Sequence, residues 1–87
     1  MKEQFQVARA ISSFDKASGW LIQETDIDLT LEQLKTIFTP YLDDPLMYGS
    51  YPINYEQAIQ LHRLDGTIEL ELQQFDYELE CYQATKQ

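Results

Sequence analysis

Apolar and acidic residues alternate along most of the segment Thr67-Ile68-Glu69-Leu70-Glu71-Leu72-Gln73-Gln74-Phe75-Asp76-Tyr77-Glu78-Leu79-Glu80-Cys81. A period of two predicts a β-strand with one apolar face and one solvent-facing face. The apolar residues stand at even positions before Gln73 and at odd positions after Gln74, which one regular strand cannot accommodate. We predict a long strand with a β-bulge near these glutamines, because no turn residue interrupts the segment. The alternative is a turn of the sheet that makes the strand two-sided.

The N-terminal residues predict a β-hairpin. Phe5, Val7 and Ile11 share one parity, which favours a strand with a partly apolar face. Turn formers follow in Asp15-Lys16-Ala17-Ser18-Gly19, where the glycine can adopt a positive φ, and Trp20-Leu21-Ile22 resumes the β-prone pattern. We therefore expect the two strands to pair on either side of this turn.

Two capping motifs predict two helices. Thr30-Leu31-Glu32-Gln33 places a hydroxyl three residues before an amide side chain, and Asn54-Tyr55-Glu56-Gln57 repeats this arrangement. Apolar residues three or four positions apart follow each cap: Leu31, Leu34, Ile37 and Phe38 in the first helix, and Ala58, Leu61 and Leu64 in the second. Pro40 should end the first helix, and Gly66 should end the second as a left-handed cap.

The order of these elements is β-β-α-α-β. It predicts an α+β fold in which two helices pack on one face of an antiparallel sheet of three or more strands. The segment between the helices, residues 41–53, is too apolar for a solvated linker and should pack as a structured loop. A chain of 87 residues has room for one domain, so residues 1–87 are expected to form a single acidic domain.

The charge of the chain favours a basic protein as the partner. Fifteen acidic and six basic residues give a net charge of −9, which repels nucleic-acid phosphates and anionic lipids. We therefore expect no nucleic-acid and no membrane partner. Residues 1–43 carry seven acids and four bases, net −3, whereas residues 44–87 carry eight acids and two bases, net −6. The C-terminal half is the stronger source of the field.

The sequence offers no pattern of a catalytic centre. His62 is the only histidine and Cys81 the only cysteine, and no motif places a nucleophile beside either. Glu24, Asp26 and Asp28 have the alternating spacing of calcium ligands but lack the glycine and the terminal glutamate of a calcium loop, so a solvated strand end is the better interpretation. We predict a non-enzymatic protein with no catalytic residue, no metal and no cofactor.

A single cysteine and the lack of a long apolar run indicate where the protein resides. One thiol excludes an internal disulfide, and residues 1–10 lack the apolar stretch of a signal peptide. We expect a cytoplasmic protein that is a monomer or a weak dimer when free.

Two groups of residues are predicted to bind the partner. The first contains five carboxylates within twelve residues with no base among them: Glu69, Glu71, Asp76, Glu78 and Glu80. Their mutual repulsion would be relieved by a basic surface, although solvent-facing strand positions are often charged for solubility alone. The second lies in the interhelical loop and comprises Asp43, Asp44, Tyr48 and Tyr51. Tyrosines serve as interface anchors or as core residues, and the aspartates as a binding rim or as turn formers.

Three stretches resemble a little-characterised family of small bacterial domains. They are Phe14-Asp15-Lys16, the segment Asp44-Pro45-Leu46-Met47-Tyr48-Gly49-Ser50-Tyr51-Pro52-Ile53 with Glu56-Gln57-Ala58, and Phe75-Asp76-Tyr77-Glu78-Leu79-Glu80. In size and acidity the chain is also similar to bacterial immunity proteins, which neutralise nuclease toxins, including those of contact-dependent growth inhibition. This similarity implies an antitoxin that caps a cationic toxin domain. The alternative is a non-catalytic regulatory adaptor that docks through its sheet edge.

Overall fold

Four antiparallel strands form one sheet in the spatial order β2-β1-β4-β3. The computed structural model describes residues 5–85, so residues 1–4 of the N-terminal segment and the side chain of Phe5 lie outside the described part. The strands are β1 (Phe5–Asp15), β2 (Leu21–Ile27), β3 (Tyr51–Pro52) and β4 (Phe75–Thr85), and the helices are α1 (Leu31–Lys35) and α2 (Tyr55–Leu64). The predicted α+β fold is confirmed. The chain order is β-β-α-β-α-β, because β3, which is too short to show a period, lies between the helices.

Strand β1 is central and sets the two faces of the sheet. It pairs with β4 without interruption, from Phe5 opposite Thr85 to Asp15 opposite Phe75. On its other side it pairs with β2, with one irregularity between Ser13 and Phe14. Side chains alternate between the faces of a strand, so within residues 7–15 of β1 and 75–83 of β4 the odd-numbered residues point toward the helices and the even-numbered residues point away.

The predicted hairpin turn is confirmed. Gly19 has φ +76°, and its backbone N–H donates to the Asp15 carbonyl at 2.7 Å. The Asp15 carboxylate accepts from both the backbone N–H and the hydroxyl of Ser18. These local bonds lower the pKa of Asp15, the Ser18 backbone N–H contributing most.

The hydrophobic core lies between the odd-numbered face of the sheet and the helices. Ile11 of β1 and Leu79 of β4 meet Leu34 of α1 and Leu61 of α2. Each large side chain of this kind contributes about 1.5 to 3 kcal/mol when fully buried. The remaining buried members of the cluster come from the loops and β3: Leu29, Phe38, Met47, Tyr51, Ile53 and Ile68. The helices therefore cover one face of the sheet only.

Both capping predictions are confirmed, but the predicted left-handed cap is wrong. Thr30 and Asn54 each cap their helix, with reciprocal bonds to Gln33 and Gln57. Helix α2 ends at Leu64 with Asp65 as its C-cap in an extended conformation, and Gly66 does not adopt a positive φ. The Asp65 carboxylate instead accepts from the backbone N–H and the hydroxyl of Thr67, a side-chain turn that redirects the chain without a left-handed residue.

The predicted strand from Thr67 is wrong over residues 67–74. These residues do not pair with the sheet, and the backbone N–H groups of Gln74 and Phe75 both donate to the Glu71 carbonyl at 3.0 Å in a turn. The change of parity near Gln73 thus marks a turn and not a bulge. The reason is tertiary: β1 gives way to the hairpin turn after Asp15, so β4 has no partner before Phe75.

Neither helix within residues 5–85 has the length and apolar composition needed to span a bilayer.

Candidate functional site: an acidic face of the sheet

The face of the sheet opposite the helices collects carboxylates from two strands that flank β1. Ser12 lies between Glu24 of β2 and Glu78 of β4. Ala10 lies between Asp26 and Glu80 in the same way. We call this surface the acidic face, and its carboxylates are Glu24, Asp26, Asp76, Glu78 and Glu80.

The small side chains of Ala10 and Ser12 leave room for the longer side chains of β2 and β4 to cover strand β1. Ala10 is 0% and Ser12 is 1% exposed, although no helix covers this face. The Ser12 hydroxyl donates to the Glu24 carboxylate at 3.3 Å. The Tyr82 hydroxyl reaches across β1 and donates to the Asp26 carboxylate at 2.7 Å. The result is a surface whose outer layer is built largely from acidic side chains.

The spacing of the strands brings like charges close together. Neighbouring strands lie about 4.8 Å apart, so the rows on β2 and β4 are about 10 Å apart, and successive carboxylates of one row are about 7 Å apart. Two unit charges at about 7 Å repel by roughly 0.6 kcal/mol even in bulk water. Partial burial, and after it the neighbouring Glu80 carboxylate, raise the pKa of Glu78. Glu78 and Glu80 therefore repel each other when both are ionised.

Basic side chains do little to neutralise this surface within residues 5–85. Lys16 forms an ion pair with Asp76 at 2.7 Å, at the end of the face near the hairpin turn. Both partners are about half exposed, so the pair contributes little to stability. Arg9 points to the opposite face and is buried, and Lys35 and Arg63 lie on the helices. The negative potential of the face is thus left largely uncompensated.

Three of the predicted carboxylates lie together and two lie elsewhere. Asp76, Glu78 and Glu80 project from β4 onto the acidic face. Glu69 lines a cavity on the helix-bearing side together with Thr25, and the Glu71 backbone N–H donates to the Tyr77 hydroxyl on that side. The turn before Phe75 separates the two groups.

The predicted loop residues Asp44 and Tyr51 hold the loop together. The Asp44 carboxylate accepts from the backbone N–H groups of Tyr48 at 2.8 Å and Gly49 at 2.9 Å, and from the Tyr51 hydroxyl at 2.8 Å. The Gly49 N–H lowers the pKa of Asp44 most, the Tyr48 N–H and the Tyr51 hydroxyl lower it further, and partial burial opposes them. Tyr51 is 3% exposed and stacks on Tyr41 with ring centroids 4.2 Å apart. In the free protein it belongs to the core.

Asp43 and Tyr48 remain at the surface of the loop. Asp43 is exposed, and Tyr48 borders an apolar cavity of about 430 Å³ with Val7, Cys81 and Tyr82. Burial raises the pKa of the Cys81 thiol, and the nearby Arg9 charge opposes this shift without cancelling it. Cys81 is therefore protonated at neutral pH and acts as a small apolar residue.

Strand β2 contributes two carboxylates to the acidic face that the alternation within β4 does not predict. The sequence predicts a solvated strand end at Glu24 and Asp26, whereas the hairpin register places them level with Ser12 and Ala10. A signal for this arrangement is present in the sequence. The even-numbered positions of β1 hold the small residues Ala8, Ala10 and Ser12, which predicts that side chains from both neighbouring strands cover β1.

Within residues 5–85 no group of three or more histidine, cysteine or acidic side chains could hold a metal ion.

Exposed apolar residues border the acidic face at the hairpin end. Trp20 is 75% exposed, and Leu21 and Ile22 are each more than half exposed. Leu21 is paired with Phe14, whose other neighbour is Asp76, so this patch is continuous with the carboxylates. Tryptophan is one of the residues enriched among the energetic anchors of interfaces.

These features define a small α+β protein with a helix-covered face and an uncovered acidic face. The chain belongs to the family described as a domain of unknown function, DUF7683, whose match covers residues 8–80. The matched range extends from Ala8 to Glu80 and includes every carboxylate of the acidic face. No curated protein and no solved structure matches the chain.

Proposed function

We propose that this protein is an immunity protein, a non-catalytic binding protein that neutralises a cationic bacterial toxin domain, a nuclease being the favoured class. The observation that supports this proposal is the gathering of Glu24, Asp26, Glu78 and Glu80 on one uncovered face around Ser12 and Ala10. Such a surface complements the positive cleft with which a nuclease holds phosphates.

Repulsion between Glu78 and Glu80 supports a binding role for the acidic face. The raised pKa of Glu78 means that the folded state disfavours the ionised form of this side chain. The ionised carboxylate therefore lowers the stability of the free protein. A partner's Lys or Arg side chains would offset the repulsion between Glu78 and Glu80 and accelerate encounter through electrostatic steering. An interface of about 800 Å² per partner is roughly an eighth of the 6512 Å² surface, an area of the order of one sheet face.

A second candidate is a regulatory adaptor that docks through its sheet edge. It is favoured by β2, which ends the sheet and is exposed along residues 21–26. Edge strands commonly accept a strand from another protein. An adaptor of this kind would bind its partner without conferring protection from a toxin.

The decisive experiment combines toxin protection with matched charge reversals. The chain is co-expressed with a basic toxin encoded beside its gene, and the purified pair is measured by calorimetry at two salt concentrations. We expect an equimolar, salt-sensitive complex and full protection of the cells. Glu78→Lys/Glu80→Lys should weaken the complex by at least about a hundredfold, as charge reversals at a complementary interface do.

The control is Glu32→Lys/Glu56→Lys, which changes the net charge from −9 to −5 as the first pair does but lies on the exposed surface of the helices, off the acidic face. We expect less than about a tenfold loss for this pair, arising from long-range steering alone. Failure to protect cells from the neighbouring toxin would contradict the proposal. A tight complex without protection would favour the adaptor.

A further inference from the structure

Strand β2 has an unpaired edge. Within residues 5–85 it pairs only with β1, and every residue from Leu21 to Asp26 is exposed. Its outward backbone N–H and C=O groups therefore have no partner in the sheet. The strand contains no proline or lysine, the residues that most often block an edge. Its irregular end near Phe14 and its two carboxylates hinder pairing with a second acidic strand.

A groove lies beneath β2 on the helix-bearing side of the sheet. It has a volume of about 390 Å³, and its apolar lining includes Ile11, Ile27, Ile68, Leu70 and Phe75. Gln23 and Thr25 of β2 point to this side and also line it. They stay exposed because the helices do not reach under the edge strand. Asp65 and Glu69 add carboxylates to the lining.

The two sides of β2 specify the pattern of an added strand. Residues directly opposite on paired strands have Cβ atoms about 5 Å apart, so side chains beside Glu24 and Asp26 would have to be cationic. Side chains on the other side of the added strand would point toward the groove, where Ile68, Leu70 and Phe75 offer apolar contacts beside a polar lining. The occupant therefore alternates basic and apolar residues with a period of two.

A second copy of this chain does not fit the edge. Pairing β2 with its own copy would bring the carboxylates Glu24 and Asp26 of both copies close together, and like charges on paired strands are destabilising. Glu24 and Asp26 would repel the same carboxylates of a second copy, and they would attract a basic segment.

We propose that the basic partner adds an extended, alternating basic and apolar segment to the edge of β2. Its basic side chains lie on the acidic face beside Glu24 and Asp26, and its apolar side chains enter the groove above Ile68 and Leu70. The inference rests on the proposed function in that the partner is basic, and it adds the mode of docking. Main-chain hydrogen bonds supply affinity, and the alternating pattern supplies specificity.

Two synthetic peptides of equal composition test this mode on the wild-type chain. One repeats Lys-Val four times, and the other repeats Lys-Lys-Val-Val twice, so charge and length are matched and only the period differs. We expect the alternating peptide to bind at least about tenfold more tightly, a difference of about 1.4 kcal/mol, because half of the lysines and half of the valines of the other peptide would face the wrong side of an added strand. Amide hydrogen exchange followed by NMR should slow in residues 21–27 with this peptide only.

The outcomes separate this inference from the proposed function. Equal binding of both peptides, with shifts centred on Glu78 and Glu80, would overturn edge docking and leave the acidic face as a charged binding surface. Binding of neither peptide at about 50 mM salt, where surface charges are weakly screened, would overturn edge docking and contradict the acidic face as well. Self-association of the free chain with protection of β2 amides would overturn the choice of a basic occupant.

Discussion

The Tyr82 hydroxyl of β4 donates a 2.7 Å hydrogen bond to the Asp26 carboxylate of β2, across the intervening strand β1. The contact joins two strands that do not pair with each other and covers the small residues of β1 between them. The bond to Asp26 raises the pKa of Tyr82 most, with burial and the charges of Asp26 and Glu24 adding to the shift.

We expect Tyr82→Phe to lower stability at neutral pH but not at strongly alkaline pH. A phenol whose pKa is raised in the folded state stabilises the fold below its unfolded pKa of about 10, and this contribution is lost as the pH rises through the folded value. Urea denaturation from pH 7 to 11 measures the difference. Tyr55→Phe, which removes an exposed hydroxyl, should leave stability unchanged across the range.

We expect Glu78→Gln to stabilise the protein at pH 7 by about 0.5 kcal/mol, the scale of a like-charge pair on a sheet. The raised pKa of Glu78 means that the folded state binds this proton more tightly than the unfolded state does. The charge of Glu78 therefore does not destabilise the protein at a pH below the pKa that this residue has in the unfolded state. Its destabilising effect grows as the pH rises through the pKa of Glu78 in the folded state. The gain of Glu78→Gln should vanish in acid.

The matched control for this variant is Glu69→Gln, which removes the same charge from an exposed position off the acidic face. Thermal denaturation of both variants at pH 3 and pH 7 makes the comparison. An equal gain from the two variants would show that net charge, and not crowding on the acidic face, determines the effect.

We expect Arg9→Met to destabilise the fold by about 2 kcal/mol. Arg9 is 6% exposed, and its guanidinium donates to the backbone carbonyls of Met47 and Leu46, at 3.0 Å to the latter. Methionine keeps the apolar stem but leaves two carbonyls of the interhelical loop without their charged donor. Arg63→Met makes the same chemical change at an exposed site in the last turn of α2 and should cost less than about 1 kcal/mol. Chemical denaturation of both variants tests the difference.

We expect Asp44→Asn to lower the melting temperature by several degrees and Asp43→Asn to leave it unchanged. Asp44 accepts three hydrogen bonds in the interhelical loop, whereas Asp43 is exposed. The lowered pKa of Asp44 means that its contribution is present above the unfolded pKa and is lost as the pH falls through the folded value. The two variants should therefore converge in melting temperature in strong acid, and calorimetry from pH 2 to 7 follows this convergence.

Local patterns in the sequence predicted the elements that depend on neighbouring residues. The capping motifs at Thr30 and Asn54 and the turn at Gly19 form as expected, because each is completed by atoms three or four residues away. The acidic row on β4 was predictable for the same reason, since alternation in one strand fixes which side chains share a face.

The tertiary structure alone decided where the strands stop and which charges meet. Residues 67–74 alternate like a strand but have no partner, because β1 gives way to a turn opposite Phe75. Glu24 and Asp26 join Glu78 and Glu80 only because one strand with small side chains lies between them. Pairing partners and face-to-face neighbours are set by contacts between residues distant in the chain, so a period read along one segment reveals a strand's faces but not what lies beside them.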